Sequence, residues 1–593
     1  MTQMSIDQAM EFARQQLTAR NFQTAEQVCR QVLAANPNHA DALHVLGAVA
    51  MNLGKFQIAV DLLRRALSLN PGNGDIHYNL GVALIRVGQT PEAAREFREA
   101  MLLKPDYLPA RGNLAAALVA MRRYEEGIEV CRSTLAIAPD QPDAWNNLGV
   151  ALQKLGRTEE AIVAFERSVA VRPESVETLS NLGNNLAKVN RFNEAIAAHR
   201  RAIALRPSAA ELFNDLGCAQ YDAGLYEDAI KSFREAMKLR PGYQQAQCTL
   251  AISLHRAGHF DQAIAEAREA IRLWPDSDLP KFNLGLFLLL RGEWEEGFRL
   301  NEHRLGVASL QLPQPVLGKP VWDGSDLKGR TIVLYGEQGL GDFIQFIRYL
   351  PMVRQRGGKI ILGCAPEMIR VARQIEGVER LVSSANEGVD FDTHAPLLSL
   401  PFIFKTTVET IPSPGPYLKA DPELAAKWKS RVPEDPKRLK VGLCWQGRPT
   451  HGDDRNRSMR LPQLAALSQV PGIWLCSLQK GAAAAEAKSP PQGMQIADFS
   501  DEVQDFADTA ALIENLDLVV TVDTSVAHLA AAMGRPTWIL LPYVPDWRWL
   551  AGRSDSPWYA SVRLFRQPKL QDWPGAVEQV VAALRKEAAG KGG

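Results

Sequence analysis

The chain has 593 residues, with 67 Lys plus Arg against 67 Asp plus Glu, 46% hydrophobic and 23% charged. That is ordinary globular composition, and a formal charge of zero provides no field to draw the chain onto a phosphate backbone or an anionic lipid surface, which argues against a dedicated nucleic-acid-binding protein. The longest apolar stretches, 114–121 and 284–290, fall short of the roughly 18 residues a bilayer span needs; the first residues carry no basic-then-apolar leader, and the seven cysteines form no CxxC pair. A cytoplasmic protein without membrane insertion, disulfide framework or metal site is expected.

From the start to about residue 305 one pattern recurs every 34 residues. Gly47, Gly81, Gly149, Gly183, Gly217 and Gly285 share one lattice, with Ala13, Ala115 and Ala251 at its other points; a second carries Gly54, Gly88, Gly156, Gly224, Gly258 and Gly292; a third runs from Pro37 through Pro71 and Pro105 to Pro275. Each unit reads as two amphipathic helices, with a small residue where they cross, a glycine able to take positive φ between them, and a proline that ends the second. One such hairpin cannot bury its apolar face, so nine are expected to stack into a superhelix over 1–309, with a groove suited to an extended partner. The unit Leu80, Gly81, Leu84, Gly88, Ala93, Phe97, Ala100, Pro105 resembles the tetratricopeptide repeat.

Two residues before the small lattice point stand Asn79, Asn113, Asn147, Asn181 and Asn283, with Asp215 and Thr249 in the same register. A line of carboxamides either hydrogen-bonds the backbone of a bound protein, since each offers donor and acceptor, or bridges neighbouring repeats. A similar asparagine ladder in the nucleocytoplasmic O-linked N-acetylglucosamine transferases implies the first role, acceptor binding.

Past a proline-containing linker, 310–321, short apolar runs alternate with helical stretches, the sign of parallel α/β sheets. Two doubly wound, Rossmann-like domains facing a cleft are expected, 322–425 and 426–593, joined through the Pro- and charge-rich segment 412–436, with ligands at the carboxyl ends of the strands. The first strand, 331–335, leads into the turn GEQGLGD (336–342), which is neither a dinucleotide fingerprint nor a P-loop. Gly339 and Gly341 permit close backbone approach to a ligand. Asp342, at the strand-to-helix junction, is either a helix N-cap or a general base. In the second domain a buried strand ends in DTSVAHLAAAMGRP (523–536). Thr524 and Ser525 either cap the alanine-rich helix or leave its amides to an anion, and Asp523 and His528 crowd the same strand end, which suits a nucleotide diphosphate.

GEQGLGD and DTSVAHLAAAMGRP resemble the heptosyltransferase-like glycosyltransferases of the two-domain GT-B type, over roughly 320–590. The resemblance implies that Asp342 deprotonates the acceptor hydroxyl and that Asp523, Thr524, Ser525 and His528 contact the donor's phosphates. It implies a basic residue after the second domain's first strand, for which Arg457 is the best match, ahead of Arg455 and Arg460. His394, read as a loop residue on the first domain's side, is a further acid–base candidate. Trp547, Trp549, Trp558 and Tyr559 either flank the nucleotide or pack the closing helix. The polar run 452–458 is expected to be a loop that orders on ligand binding.

Tetratricopeptide fusions to such domains are similar to protein glycosylators, including bacterial flagellin glycosyltransferases. The expected function is metal-independent, cofactor-free transfer of a sugar from a nucleotide-sugar donor to Ser or Thr of a protein held in the repeat groove, flagellin among the acceptors implied. A repeat scaffold that binds a nucleotide sugar without turnover, or a nucleotide-sugar epimerase, remains open.

Overall fold

The computed structural model describes residues 4–310, 312, 318–383, 389–413 and 415–592. Residues 311 and 313–317 of the expected linker lie outside the described residues. The chain forms two compact units, Met1–Pro241 and Gly242–Gly593. The division falls between the seventh and eighth helix pairs and not at the linker, so the last two pairs share a compact unit with both sheets.

In the first unit the pairs run from Ile6–Thr18 with Phe22–Ala35 to Ala210–Asp222 with Tyr226–Leu239. The small lattice residue is required by contact: a Cβ on Gly81 would come 2.6 Å from the Phe97 ring, and one on Gly149 equally close to Phe165. At the turn lattice, Gly54, Gly88, Gly156 and Gly224 have φ of 74–81°. Where the glycine is replaced, Arg20, Arg122 and Asn190 still adopt φ near 60°; packing of the pair sets the turn, and the non-glycine side chain bears the strain. Leu63, Leu80, Leu84, Phe97, Leu114 and Leu118 join consecutive repeats into one apolar layer, the burial that no single hairpin achieves.

The second unit opens with helices Gln244–Arg256, Phe260–Leu273, Asp278–Arg291 and Trp294–Asn301. A first parallel sheet follows, β1 (Thr331–Tyr335), β2 (Lys359–Gly363), β3 (Val378–Val382) and β4 (Thr393–Pro396), in the order β3-β2-β1-β4. A second is built from β5 (Leu439–Cys444), β6 (Ile473–Ser477), β7 (Leu518–Val522), β8 (Thr537–Leu541) and β9 (Val562–Arg566), in the order β6-β5-β7-β8-β9 and again parallel throughout. β7 and β8 are buried along their whole length, as strands covered on both faces must be. The segment 412–436 does more than connect. Its Tyr417 and Leu418 amides donate to the Ala532 carbonyl, and buried Trp428 donates from Nε1 to Asp508 Oδ1 at 3.4 Å.

The aromatic cluster of the second sheet packs differently from expectation. Helix Trp573–Gly592 closes over β5, β7 and β8 with its own apolar partners. Trp547 and Trp558 instead meet the last repeat: Trp558 stacks on Trp294 at 5.1 Å, and Trp547 stands edge-on to Phe298 at 5.6 Å. The final helix pair is thereby built into the core of the α/β region.

Candidate functional site

The turn after β1 enters the short helix Leu340–Phe346, whose N-cap is Gly339. Asp342 is thus the third residue of the helix and not its N-cap; its Oδ2 accepts the Gly339 N–H at 3.1 Å. Its Oδ1 accepts from Arg548 Nη2 at 2.5 Å, a residue 206 positions further on that sequence reasoning missed. Burial pushes the Asp342 pKa above the ordinary carboxylate range, with Arg548 working against the shift. Gly341 gives close approach: a Cβ there would sit 2.8 Å from His528 Cδ2.

A second buried guanidinium holds the same turn from behind. Arg304, fully buried in the 3-10 segment after the last repeat, donates from Nε to Glu337 Oε1 at 2.5 Å, from Nη1 to Glu302 Oε1 at 2.6 Å and from Nη2 to Ser399 Oγ at 2.8 Å. Glu337 Oε2 is buried without a hydrogen-bond partner among the described residues. Burial raises the Glu337 pKa against the pull of Arg304.

In the second sheet, helix Ser525–Ala532 starts after the Thr524 N-cap, but the Thr524 hydroxyl makes no capping bond. It faces Thr521 Oγ1 at 3.1 Å and Cys444 Sγ at 3.8 Å; of the two readings open for Thr524, side-chain capping is the one its hydroxyl does not perform, because it turns into the sheet. Ser525 is half-buried and Asp523 buried. His528 stacks on Trp549 at 5.3 Å, and its Nδ1 lies 3.0 Å from Tyr559 Oη. Burial, reinforced by Arg548, pushes its pKa down to about 3, so the ring is neutral at pH 7. His528 Nε2 stands 3.9 Å from Asp523 Oδ1; burial, with Asp546 nearby, raises the Asp523 pKa.

Arg548 joins the two sheets' loops. Its Nη1 donates to Asp546 Oδ1 at 2.8 Å, and its plane lies 4.5 Å over Trp547. Burial opposes the charge on Asp546, yet Arg548 holds its pKa below the usual range. Arg457 shares this electrostatic neighbourhood, acting on Asp523 and His528, and makes one loose ion pair, Nε to Asp454 Oδ1 at 3.8 Å. Its segment is not wholly a loop: Asp454–Arg457 forms a helical turn, held by Arg256 of the eighth helix pair through Asp453 at 3.0 Å. Arg460 is exposed and paired with Glu486, and Arg455 is exposed. Arg348 anchors the far side, donating to the Trp558 carbonyl at 2.7 Å and Tyr417 Oη at 3.1 Å.

Asp342, Arg457, Asp523, His528, Asp546 and Arg548 are therefore brought together at the carboxyl ends of β1, β5, β7 and β8, with exposed Gly339, half-buried Gly341 and Ser525, and buried Thr524 beside them. His394 is not among them. It is a residue of β4, in register with Val333, and its buried ring meets Tyr335 and Phe391; the expected loop is a strand because 393–396 completes the first sheet. Burial lowers its pKa. Among the described residues no group of three His, Cys, Asp or Glu side chains is arranged to hold a metal ion.

In the repeats, Asn79 Nδ2 meets His44 Nε2 at 2.8 Å, Asn147 Nδ2 donates to the Gly112 carbonyl at 3.2 Å, and Asp215 accepts from Ser180 at 3.1 Å. Each bond reaches the preceding repeat. Asn113 and Asn181 are half-buried, and Asn283 is buried with Nδ2 unpartnered among the described residues.

Tetratricopeptide repeat families match residues 44–107, 84–149, 140–208, 180–243 and 248–299, and glycosyltransferase family 9 (heptosyltransferase) matches residues 463–544. The latter span holds Asp523 to His528, while Asp342, Arg457 and Arg548 lie outside it. Protein FlbA of Caulobacter vibrioides is 26% identical over 331 residues, 52% of this chain and 55% of that protein; the chain thus spans about half the length of this relative. Among solved structures, MamA is 23% identical, covering 29% of this chain and 94% of that one with a TM-score of 0.27. The Pseudomonas aeruginosa pilF structure is 20% identical, covering 36% and 97% with a TM-score of 0.33. The chain joins tetratricopeptide repeats to a family 9 glycosyltransferase domain. No helix among the described residues is long and apolar enough to cross a membrane.

Proposed function

We propose that the protein transfers a sugar from a nucleotide-sugar donor to Ser or Thr hydroxyls of a protein acceptor engaged by the repeats, in a GT-B arrangement that uses guanidinium groups and a helix start where other enzymes use a cation. The observation that supports this reading is the meeting of Asp342 with the Asp523–His528 segment around Arg548, since a carboxylate suited to a base then stands beside groups suited to a diphosphate at the ends of four strands. The donor's phosphates face Arg457, Arg548 and the amides of Ser525 and Val526, which Thr524 leaves uncapped. The acceptor oxygen attacks the anomeric carbon and passes its proton to Asp342. The carbon–oxygen bond to the diphosphate breaks, and the charge that collects there is met by fixed positive groups. The asparagine ladder supplies the acceptor contacts, flagellin being the first acceptor to try.

Calorimetry with UDP, GDP, ADP and CMP and their sugars, followed by intact-mass analysis of acceptor incubated with the donor that binds, tests this. One nucleotide should bind, more weakly by about 1–3 kcal/mol in Arg457→Ala and His528→Ala, and the acceptor should gain one sugar mass per modified hydroxyl. Absence of binding across the panel overturns the reading. The ion pair that engages Asp342 favours a second reading, a repeat scaffold that binds a nucleotide sugar without turnover; binding with no mass gain would select it.

A further inference from the structure

Resting on the reading of this cluster as a nucleotide-sugar site, we propose that Arg548 is a switch between two anions: it holds the Asp342 carboxylate until the donor's diphosphate competes for the same guanidinium, so that donor binding itself releases the base. The geometry is specific. Arg548 is buried; Nη2 is on Asp342 at 2.5 Å, Nη1 on Asp546 at 2.8 Å, and Nε has no hydrogen-bond partner among the described residues. The ring of Trp547 beneath it, 4.5 Å from the guanidinium carbon, fixes its plane. Asp546 keeps hold of the arginine through a second bond from the Arg548 amide at 3.0 Å, so the guanidinium can give up Asp342 without leaving the site.

Charge balance explains why Asp342 is the partner that yields. Three carboxylates face one another here: Asp342 from the first sheet, Asp523 after β7 and Asp546 after β8. They share two close cations, Arg548 and Arg457, with His528 neutral, His451 on the loop after β5, and Glu337 already matched to Arg304. A diphosphate adds further negative charge to a partly buried cluster that is already short of cations, which raises the proton affinity of whichever carboxylate loses its partner. Asp546 is held ionised by its two bonds from Arg548, and Asp523, which burial has already pushed up to about 6, stands against neutral His528, so the exchange at Arg548 does not change its pairing. Asp342, once its ion pair with Arg548 is lost, keeps the Gly339 N–H, and burial then raises its proton affinity while the carboxylate stays available to accept a proton. A carboxylate whose proton affinity has risen toward the working pH is the better general base, so Asp342 becomes competent only beside a bound donor. The acceptor's proton then goes to Asp342, and the electron pair of the broken bond stays on the diphosphate beside Arg548.

The test is titration calorimetry of the full chain with the nucleoside diphosphates UDP, GDP, ADP and CDP, in EDTA, at pH 5.5 to 7.5 in two buffers of different ionisation enthalpy. The wild type should take up a fraction of a proton on binding near pH 6, fading toward pH 7.5. Asp342→Asn should abolish the uptake and bind several-fold more tightly, because the competing carboxylate charge is gone. Asp342→Ser, which keeps a capping oxygen for Gly339, should do the same and guards against a folding defect in the first variant. Proton uptake that persists in both variants, or affinity in both that is no better than wild type, overturns the exchange while leaving the nucleotide site intact. If no nucleotide binds the wild type, the reading of the site itself falls, and the exchange with it.

Discussion

The two compact units use polar groups in opposite ways. In Met1–Pro241 the ladder bonds run to the repeat before: Asn79 meets His44, Asn147 reaches Gly112 and Asp215 reaches Ser180, all 35 positions away. In Gly242–Gly593 the charges that matter come from far apart and are buried together, as with Asp342 and Arg548 across 206 positions and Arg304 and Ser399 across 95. A unit built from neighbour contacts spreads its stability along the chain, and a local lesion stays local. One built on buried charge pairs concentrates both stability and chemistry in a few residues, each expensive to lose.

The sharpest way to test that contrast is at Asp342. Asp342→Asn should lower turnover by about 10²–10⁴-fold without loss of nucleotide binding, measured by steady-state transfer alongside calorimetry; joint loss of binding and of melting temperature would make Asp342 a structural residue. Arg304→Met should cost about 3–5 kcal/mol of stability in the second unit, because Glu337 is left buried and charged. Adding Glu337→Gln should recover part of that in chemical denaturation, and an unchanged melting curve for the single variant would remove the buried pair from the account. In the first unit Gly149→Ala, with its Cβ driven into Phe165, should cost about 1–3 kcal/mol. Hydrogen exchange should show the loss confined to the repeats around it; a loss spread evenly over the unit would contradict neighbour-only coupling.

His199 sharpens the comparison further. It occupies the lattice point held by Phe97, Phe165 and Phe233, fully buried, with both ring nitrogens unpartnered among the described residues, and burial lowers its pKa. A histidine whose folded pKa is depressed binds more protons when unfolded, so its contribution is lost as pH falls below the ordinary value of about 6.5. His199→Phe should raise stability by about 1–2 kcal/mol at pH 7 and flatten its acid dependence, read by thermal melts from pH 5 to 8. The smallest effect is expected for Asn147→Ala, about 0.5–1.5 kcal/mol from one inter-repeat bond. Asn113→Ala, Asn147→Ala and Asn181→Ala combined should weaken capture of the protein acceptor while circular dichroism keeps its helical signal. Full capture by that triple variant would leave the ladder a purely structural bridge.

The sequence by itself determined the helical pairs, because the close approach at Gly81 and Gly149 and the left-handed turn at Gly88 and Gly156 are local demands met by single residue types at a fixed spacing. It also pointed to parallel sheets and to the two segments, 336–342 and 523–536, that lie at strand ends, since turn glycines and buried apolar runs leave a mark within a few residues. Other features had no such mark. Arg548 stands between two tryptophans, a charge in an apolar run that hints at a buried partner and cannot say which. Whether Thr524 caps its helix depended on Thr521 and Cys444, which turn its hydroxyl into the sheet, and His394 became a strand residue only because β1 was there to pair with. The last repeats carry the same lattice as the others, yet Trp294, Phe298 and Arg304 belong with the α/β core. Burial and charge pairing are decided by which surfaces meet, and across some 200 residues only the tertiary structure brings those surfaces together.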